Sequence, residues 1–185
     1  MLETIHLSLS ELEAGLDHIR QSPNDGGKLM LIVRRPDIDA REAVHECQLD
    51  PKEGLVGDSW KVRGSRHTSD GSANPNAQVT IMNSRTVALL AQNEERWLLA
   101  GDQLYVDMEL SDENLPPGTQ LKIGTAVVEV SAEPHTGCKK FAMRYGTDAT
   151  KFVNSKEGKQ LHLRGINARV VQAGKVRVGD VVRKA

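Results

Sequence analysis

The sequence predicts a mainly β domain with peripheral helices, α+β in class, whose strands form a small barrel or a strongly curved sheet. Three observations predict it. From Gln103 onward the hydrophobic period falls to two, with Leu104, Val106, Met108 and Leu110 alternating with Tyr105, Asp107 and Glu109. Short apolar runs separated by glycine turns then recur to the C-terminus. Helical periodicity is confined to a few stretches between them, without the regular strand-helix alternation of a parallel doubly wound sheet.

The elements follow in order. Ser8 with Glu11, or Ser10 with Glu13, has the spacing of a capping box, and Leu9, Leu12, Leu16 and Ile19 recur at helical intervals, which predicts a helix over 9–20. Ser22 to Gly27 punctuates it, and Lys28 to Val33 reads as a buried strand before Pro36. Asp39 is placed to cap a second helix carrying Ala40, Ala43, Val44 and Cys47 on one stripe, which makes Cys47 a core residue. Gly54 to Asp58 is a glycine-framed turn. Lys61 to Ala77 is a long polar loop that bears Lys61, Arg63, Arg66 and His67 and either folds over an anion or stays a solvated flap.

Gln78 to Met82 resumes a strand, and Asn83 or Ser84 caps a helix to about Leu99, closed by Gly101, with Val87, Leu90, Trp97 and Leu98 buried. Leu104 to Leu110 is a half-buried strand. Pro116-Pro117-Gly118 turns the chain, and Thr119–Ile123 pairs with Ala126–Val130 around Gly124-Thr125. Arg169–Val171 and Val176–Val182 flank Ala173-Gly174. Residues 1–185 are read as one domain, with 1–27 an N-terminal helix and turn and 28–185 the barrel with its helices.

Composition narrows the function. Hydrophobic residues make up 38% and charged ones 26% of 185, a folded rather than disordered mixture. The longest apolar runs are five residues, too short to cross a bilayer, and the Met1-Leu2-Glu3-Thr4 start does not resemble a secretory leader, so a cytoplasmic protein is expected. Two cysteines without a C-x-x-C pair exclude a disulfide framework or a cysteine-rich zinc site. Residues 1–134 carry 12 Lys+Arg against 22 Asp+Glu, whereas 135–185 carry 12 against 3. The basic third points either to an anionic ligand or to pairing with the acidic part of the same fold. Aromatic content of 3% argues against a single-stranded nucleic-acid platform, and the nucleotide-loop, dinucleotide, zinc-protease and G-x-S-x-G signatures do not occur.

Chemistry concentrates in Pro134-His135-Thr136-Gly137-Cys138-Lys139-Lys140-Phe141-Ala142-Met143-Arg144-Tyr145. Thr136 is placed to cap a short helix with Cys138 in its first turn, where free N–H groups and Lys139, Lys140 and Arg144 favour the thiolate, the form that attacks an electrophile or binds a soft metal. The plainer alternative is a small residue filling a strand-to-helix junction. His135 is either a metal partner or proton carrier, or a loop residue. Phe141, Tyr145 and Phe152 read as core packing.

Taken in order, Gly54-Leu55-Val56-Gly57-Asp58, Asn114-Leu115, the Cys138 segment, Arg164-Gly165 and Gly174-Lys175-Val176-Arg177-Val178-Gly179-Asp180-Val181-Val182 resemble the MOSC domain, the module at the C-terminus of molybdenum cofactor sulfurases. The resemblance covers about residues 28–185. It implies a MOSC-type β-barrel with peripheral helices and a cysteine-lined pocket handling molybdenum cofactor (molybdopterin) or its sulfur. In amidoxime-reducing relatives the matching cysteine is a molybdenum ligand, which makes Cys138 both metal ligand and catalytic residue. Lys139, Lys140, Arg144, Arg164, Asn114 and Asp58 are the expected cofactor-binding residues. Ser59-Trp60 stands where many relatives have a basic residue or histidine. The resemblance implies reduction of N-hydroxylated compounds. The alternative is a non-catalytic carrier of sulfur, as a Cys138 persulfide, or of cofactor. The pyridoxal-phosphate half of the sulfurases does not occur in the sequence, so the expected partners are a pterin cofactor or small-molecule substrate and a redox or sulfur-donor protein, with no membrane and no nucleic acid.

Overall fold

The computed structural model describes residues 6–185, so the Met1-Leu2-Glu3-Thr4 start read for a leader lies outside the described residues. The capping box forms: the Ser8 hydroxyl accepts from the Glu11 N–H and the Glu11 carboxylate accepts from the Ser8 N–H, starting α1 (Leu9–Ala14). The single helix expected over 9–20 is two, α1 and α2 (Leu16–Arg20), because glycine at 15 is a poor helix interior and Leu89 fills the place where its Cβ would stand.

β1 (Gly27–Arg34) follows. After it the helix expected from Asp39 is replaced by β2 (Glu42–Val44) and β3 (Glu46–Asp50). Asp39 is left-handed at φ 59° and caps nothing. The stripe Ala40, Ala43, Val44, Cys47 offered little apolar surface to hold a short helix. Sheet partners prevail instead, with Val44 opposite Ile32 and Cys47 opposite Val176. Cys47 still packs against the core, its thiol half-buried and pushed up by that burial.

Beyond the short β4 (Gly54–Leu55), the expected long loop contains α3 (Trp60–Arg63) and a 3₁₀ turn at Pro75–Ala77. Then come β5 (Val79–Asn83) and α4 (Ser84–Ala91), capped by the Asn83 side chain. Gln92 in the left-handed region ends α4, and a 3₁₀ helix over Glu94–Ala100 takes the rest of the span expected to be one helix. The remaining elements are β6 (Leu104–Asp107), β7 (Gln120–Ile123), β8 (Ala126–Val130), α5 (Lys139–Tyr145), α6 (Thr147–Asn154), α7 (Lys156–Gln160), β9 (Ile166–Gln172), β10 (Gly174–Arg177) and β11 (Val181–Lys184).

Among the described residues, seven strands close a mixed barrel in the order β11-β7-β8-β9-β5-β6-β1, sealed where Gly27 and Lys28 of β1 pair with Val182 and Val181 of β11. Neighbours run antiparallel except β5 and β6, whose parallel pairing is bridged by α4 and the 3₁₀ helix. The β7–β8 hairpin forms as expected around Gly124. Val176–Val182 is two strands rather than one, and β10 joins β3 and β4 in a separate small sheet.

Two apolar layers explain one further difference. Leu104 and Val106 point into the barrel, while Tyr105 lies in a second cluster formed with α4, the N-terminal helices, Phe141, Tyr145 and Phe152. Helices cover the outer face of β6, so the strand expected to be half-buried is buried on both sides. Phe141, Tyr145 and Phe152 are core, as expected. No described helix is long and apolar enough to cross a membrane.

Candidate functional site

The segment that carries Cys138 is tied down by three side chains on three different elements. Asn167 of β9, itself buried, donates from Nδ2 to the carbonyls of Glu133 and Pro134 at 3.1 and 3.2 Å. His135 Nε2 bonds Asp102 Oδ1 at 2.8 Å. Asn154 of α6 grips Gly137 from both sides, accepting its N–H at 2.8 Å and donating to its carbonyl at 2.9 Å. Glycine is required there, because a Cβ would meet Val153 at 2.9 Å. The chain then enters α5 with Cys138 itself at the N-cap, one step earlier than the first-turn place expected behind Thr136, and the sulfur makes no capping bond. A fixed backbone thus presents an exposed thiol.

Beneath this segment lies a buried ion pair, Asp102 with Arg164, to which His135 is hydrogen-bonded. Asp102 follows Gly101, whose φ of 89° ends the 3₁₀ helix and turns the carboxylate inward. Asp102 accepts from Arg164 NH1 at 2.5 Å as well as from His135, and Arg164 also donates to the Ala100 carbonyl and lies 4.9 Å over the Phe141 ring. Burial works against the Asp102 carboxylate, but Arg164 and His135 together hold it below its usual range. His135 moves the same way: burial first, then Arg164, keep it below the ordinary imidazole value despite Asp102. Its ring is therefore neutral near pH 7, and the acceptor-only carboxylate assigns the proton to Nε2.

Beside the start of α5 opens a groove of 380 Å³ lined by Pro36 to Asp39, Arg41, Ser59, Val62, Arg63 and Lys140. At its base Arg35 makes a two-pronged pair with Asp58 and donates from NH1 to the Gly101 carbonyl at 3.0 Å. Arg41 and Arg144 close in on Gly101 from other directions, within 3.7 Å of where a Cβ would stand. Asp58 is consumed by Arg35, and Asp39 lies 3.4 Å from both Lys140 and Arg144. Arg41 and Arg63 are left over. Among the described residues Arg63 has no side-chain hydrogen bond, and Arg41 donates only to the adjacent Ala40 carbonyl, with its Nε buried and unpartnered. Burial first, then neighbouring arginines, pull both guanidinium groups below the ordinary arginine value: Arg144 and Arg35 act on Arg41, Arg35 and Arg41 on Arg63. A site that repels its own cations is suited to an anion.

The expected site residues divide accordingly. Lys140 lines the groove, Arg144 borders it while donating to the Leu99 carbonyl at 2.8 Å, and Lys139 is exposed beside them. Asp58 is spent on Arg35, whereas Arg164 pairs with Asp102 but keeps a buried Nε without a partner and, with His135 and Thr136, lines a hollow of 290 Å³ beside the Cys138 segment. Asn114 is not brought to the groove: it donates to the carbonyls of Asn24 and Glu109 and accepts from Lys184. Of two hollows of 430 and 420 Å³ at that end, the first has Glu109, Glu113 and Arg20 in its lining and the second Asp112, Glu113 and Glu157, so both carry more acid than base. Part of the charge of the basic C-terminal third goes into surface pairs with the acidic part of the same chain, Arg169 with Glu129 and Lys175 and Arg177 with Glu46. Arg35, Arg41, Asp102, Asn154 and Asn167 were not singled out by the sequence. The only local signal was the arginine pair ahead of Pro36.

The solved structures this chain resembles include YiiM from Escherichia coli (TM-score 0.56, 18% identity, covering 85% of this chain and 69% of that one). They also include the YuaD protein from Bacillus subtilis (TM-score 0.57, 16% identity, 84% and 93%) and YiiM from Geobacillus stearothermophilus (TM-score 0.52, 15% identity, 86% and 73%). At these identities the likeness is one of fold. No curated protein matches the chain. The family model of the MOSC domain matches residues 68–183, which span β5 to β11 and include Cys138, Asp102, His135 and Arg164. With the barrel and this match together, the chain belongs to the MOSC domain family.

Proposed function

We propose that this protein binds the molybdenum–pterin cofactor associated with its family, using Cys138 as the metal ligand and the arginine groove for the cofactor's phosphate. The observation that carries the proposal is the coexistence of two groove-lining arginines that make no ion pair among the described residues, Arg41 and Arg63, with an exposed cysteine two residues before groove-lining Lys140. The residues fit such a group by their chemistry. A thiolate is an anionic, soft, strongly electron-donating ligand for a thiophilic metal, and a phosphate dianion relieves the mutual repulsion of the arginines. When bound, the cofactor supplies two-electron redox chemistry of the kind that reduces an N–O bond.

The chain's own contributions are binding and orientation. Arg41 and Arg63 hold the anion, with Lys139, Lys140 and Arg144 adding to the positive field. Asp58 holds Arg35 at the base of the groove. Asn154, Asn167 and Asp102 fix the backbone on which the sulfur rides, and His135 keeps its proton at Nε2 on Asp102. Electrons come from a separate redox protein, and the setting is the cytoplasm.

The exposure of the sulfur also supports a second reading, in which Cys138 carries a persulfide received from a donor protein. Molybdenum and pterin content of protein purified from cofactor-competent cells, wild type beside Cys138→Ala, separates the two. Both components in the wild type and their loss in the variant support the first reading. Neither component in the wild type, with a cyanide-labile sulfur on Cys138, supports the second and overturns the first.

A further inference from the structure

The segment that carries Cys138 borders a second cavity besides the arginine groove. Pro134 and His135 form one wall of the 290 Å³ hollow, and Val153 of α6, Lys159 of α7 and the turn through His162 and Arg164 face them. Among the described residues no aspartate or glutamate lines it. Its cations are not equivalent. Arg164 is answered by Asp102, and His162 by Asp112 at 2.8 Å. Lys159 makes no ion pair and no side-chain hydrogen bond among the described residues, so the lining carries one uncompensated positive charge where the groove carries two.

A second observation points the same way. The Arg164 side chain is only 8% exposed, and NH1 and NH2 donate to Asp102 and to the Ala100 carbonyl, but its buried Nε has no partner. A buried N–H left unpaired is costly, and here it belongs to a residue that lines the hollow. An acceptor bound there would offset that cost. Pro134 and Val153 add hydrocarbon to the lining, and the volume stands near the lower end of small-molecule sites, about 300 Å³.

We propose that this hollow is a ligand site separate from the groove, and that it takes a small organic monoanion, with its carboxylate on Lys159 and its hydrocarbon body against Pro134 and Val153. One free positive charge matches a carboxylate rather than a phosphate dianion, and apolar walls favour an organic acid over an inorganic anion. A bound acid bridges α7 and the cysteine segment. The assignment does not depend on the cofactor proposed for the groove.

The test compares benzoate with benzamide, its neutral counterpart of the same size, on the full chain purified from cells lacking the pterin cofactor. Calorimetry gives the affinity, and the imidazole NMR signals of His135 and His162 give the location. Benzoate should bind and move both signals, and benzamide should bind about tenfold more weakly. Lys159→Gln should weaken benzoate about tenfold and leave inorganic phosphate binding unchanged, while Arg63→Gln should leave benzoate unchanged. Lys159 is exposed, so its replacement keeps the core. No benzoate binding, equal affinity for benzamide, or benzoate binding that survives Lys159→Gln intact overturns the proposal. Benzoate that moves neither imidazole signal and is lost in Arg63→Gln sits in the groove and overturns it too. A chain that binds benzoate in the hollow but no phosphate supports this proposal while overturning the anion site of the groove.

Discussion

Asp58 and Arg35 form a two-pronged ion pair, Nε to Oδ2 at 2.8 Å and NH2 to Oδ1 at 2.9 Å, with the carboxylate wholly buried. The same carboxylate accepts the backbone N–H groups of Arg35 and Trp60 at 3.0 and 2.9 Å, so one side chain joins the end of β1 to the start of α3. The groove hangs on this junction.

Removing the carboxylate leaves a buried guanidinium and two backbone donors unpaired. Asp58→Ala should therefore lose about 3–5 kcal/mol of stability, read from urea denaturation. A loss below about 1 kcal/mol would mean that water replaces the pair and that Asp58 is not a structural support.

Stability should depend on pH through His135. Its native value lies below the unfolded one of about 6.5, because burial and then Arg164 oppose protonation. The unfolded chain therefore binds the proton first as pH falls. The stability contribution is complete above about pH 6.5 and is lost as pH falls through the lower native value. Denaturation midpoints across this range should fall with pH in the wild type and fall less steeply in His135→Gln. Equal slopes would remove His135 from the account.

The barrel was legible because alternation and glycine turns set strand period and length locally. The errors arose where a distant partner decided. Ala40, Ala43, Val44 and Cys47 matched a helical stripe, but the free hydrogen bonds of β1 and β10 claimed residues 42–50 as strands. Tyr105 looked solvent-facing until the helical layer covered it. At the site, Cys138, Lys140 and Arg63 carried local signals, a basic cysteine segment and a polar loop. Arg35, Arg41 and Asp102 acquire their roles only when β1, the loop after it and the Gly101 turn meet, and that meeting is spread over more than sixty positions in sequence. Asp58 was visible in its glycine turn, but its partner was not.

Asn154 is expected to be the residue that keeps Cys138 in place. Asn154→Ala removes both bonds to Gly137, with a cost of about 1–3 kcal/mol. Amide exchange around residues 136–139 should accelerate selectively while the barrel strands keep their protection. Uniform acceleration throughout would indicate global destabilisation and no specific clamp.

Inorganic phosphate should raise the thermal midpoint of the wild type in a salt-sensitive manner, since an anion on Arg41 and Arg63 stabilises only the folded chain. Arg63→Gln should weaken phosphate about tenfold, in line with loss of one charge-assisted bond. An unchanged phosphate response in Arg63→Gln would place the anion elsewhere.

The most direct measurement of whether Cys138 is the metal ligand is its alkylation by iodoacetamide, read by peptide mass spectrometry on protein isolated from cofactor-competent cells. Cys138 should be protected in proportion to the molybdenum present and should become fully reactive once the cofactor is stripped. Complete alkylation of Cys138 while molybdenum stays bound would contradict the account.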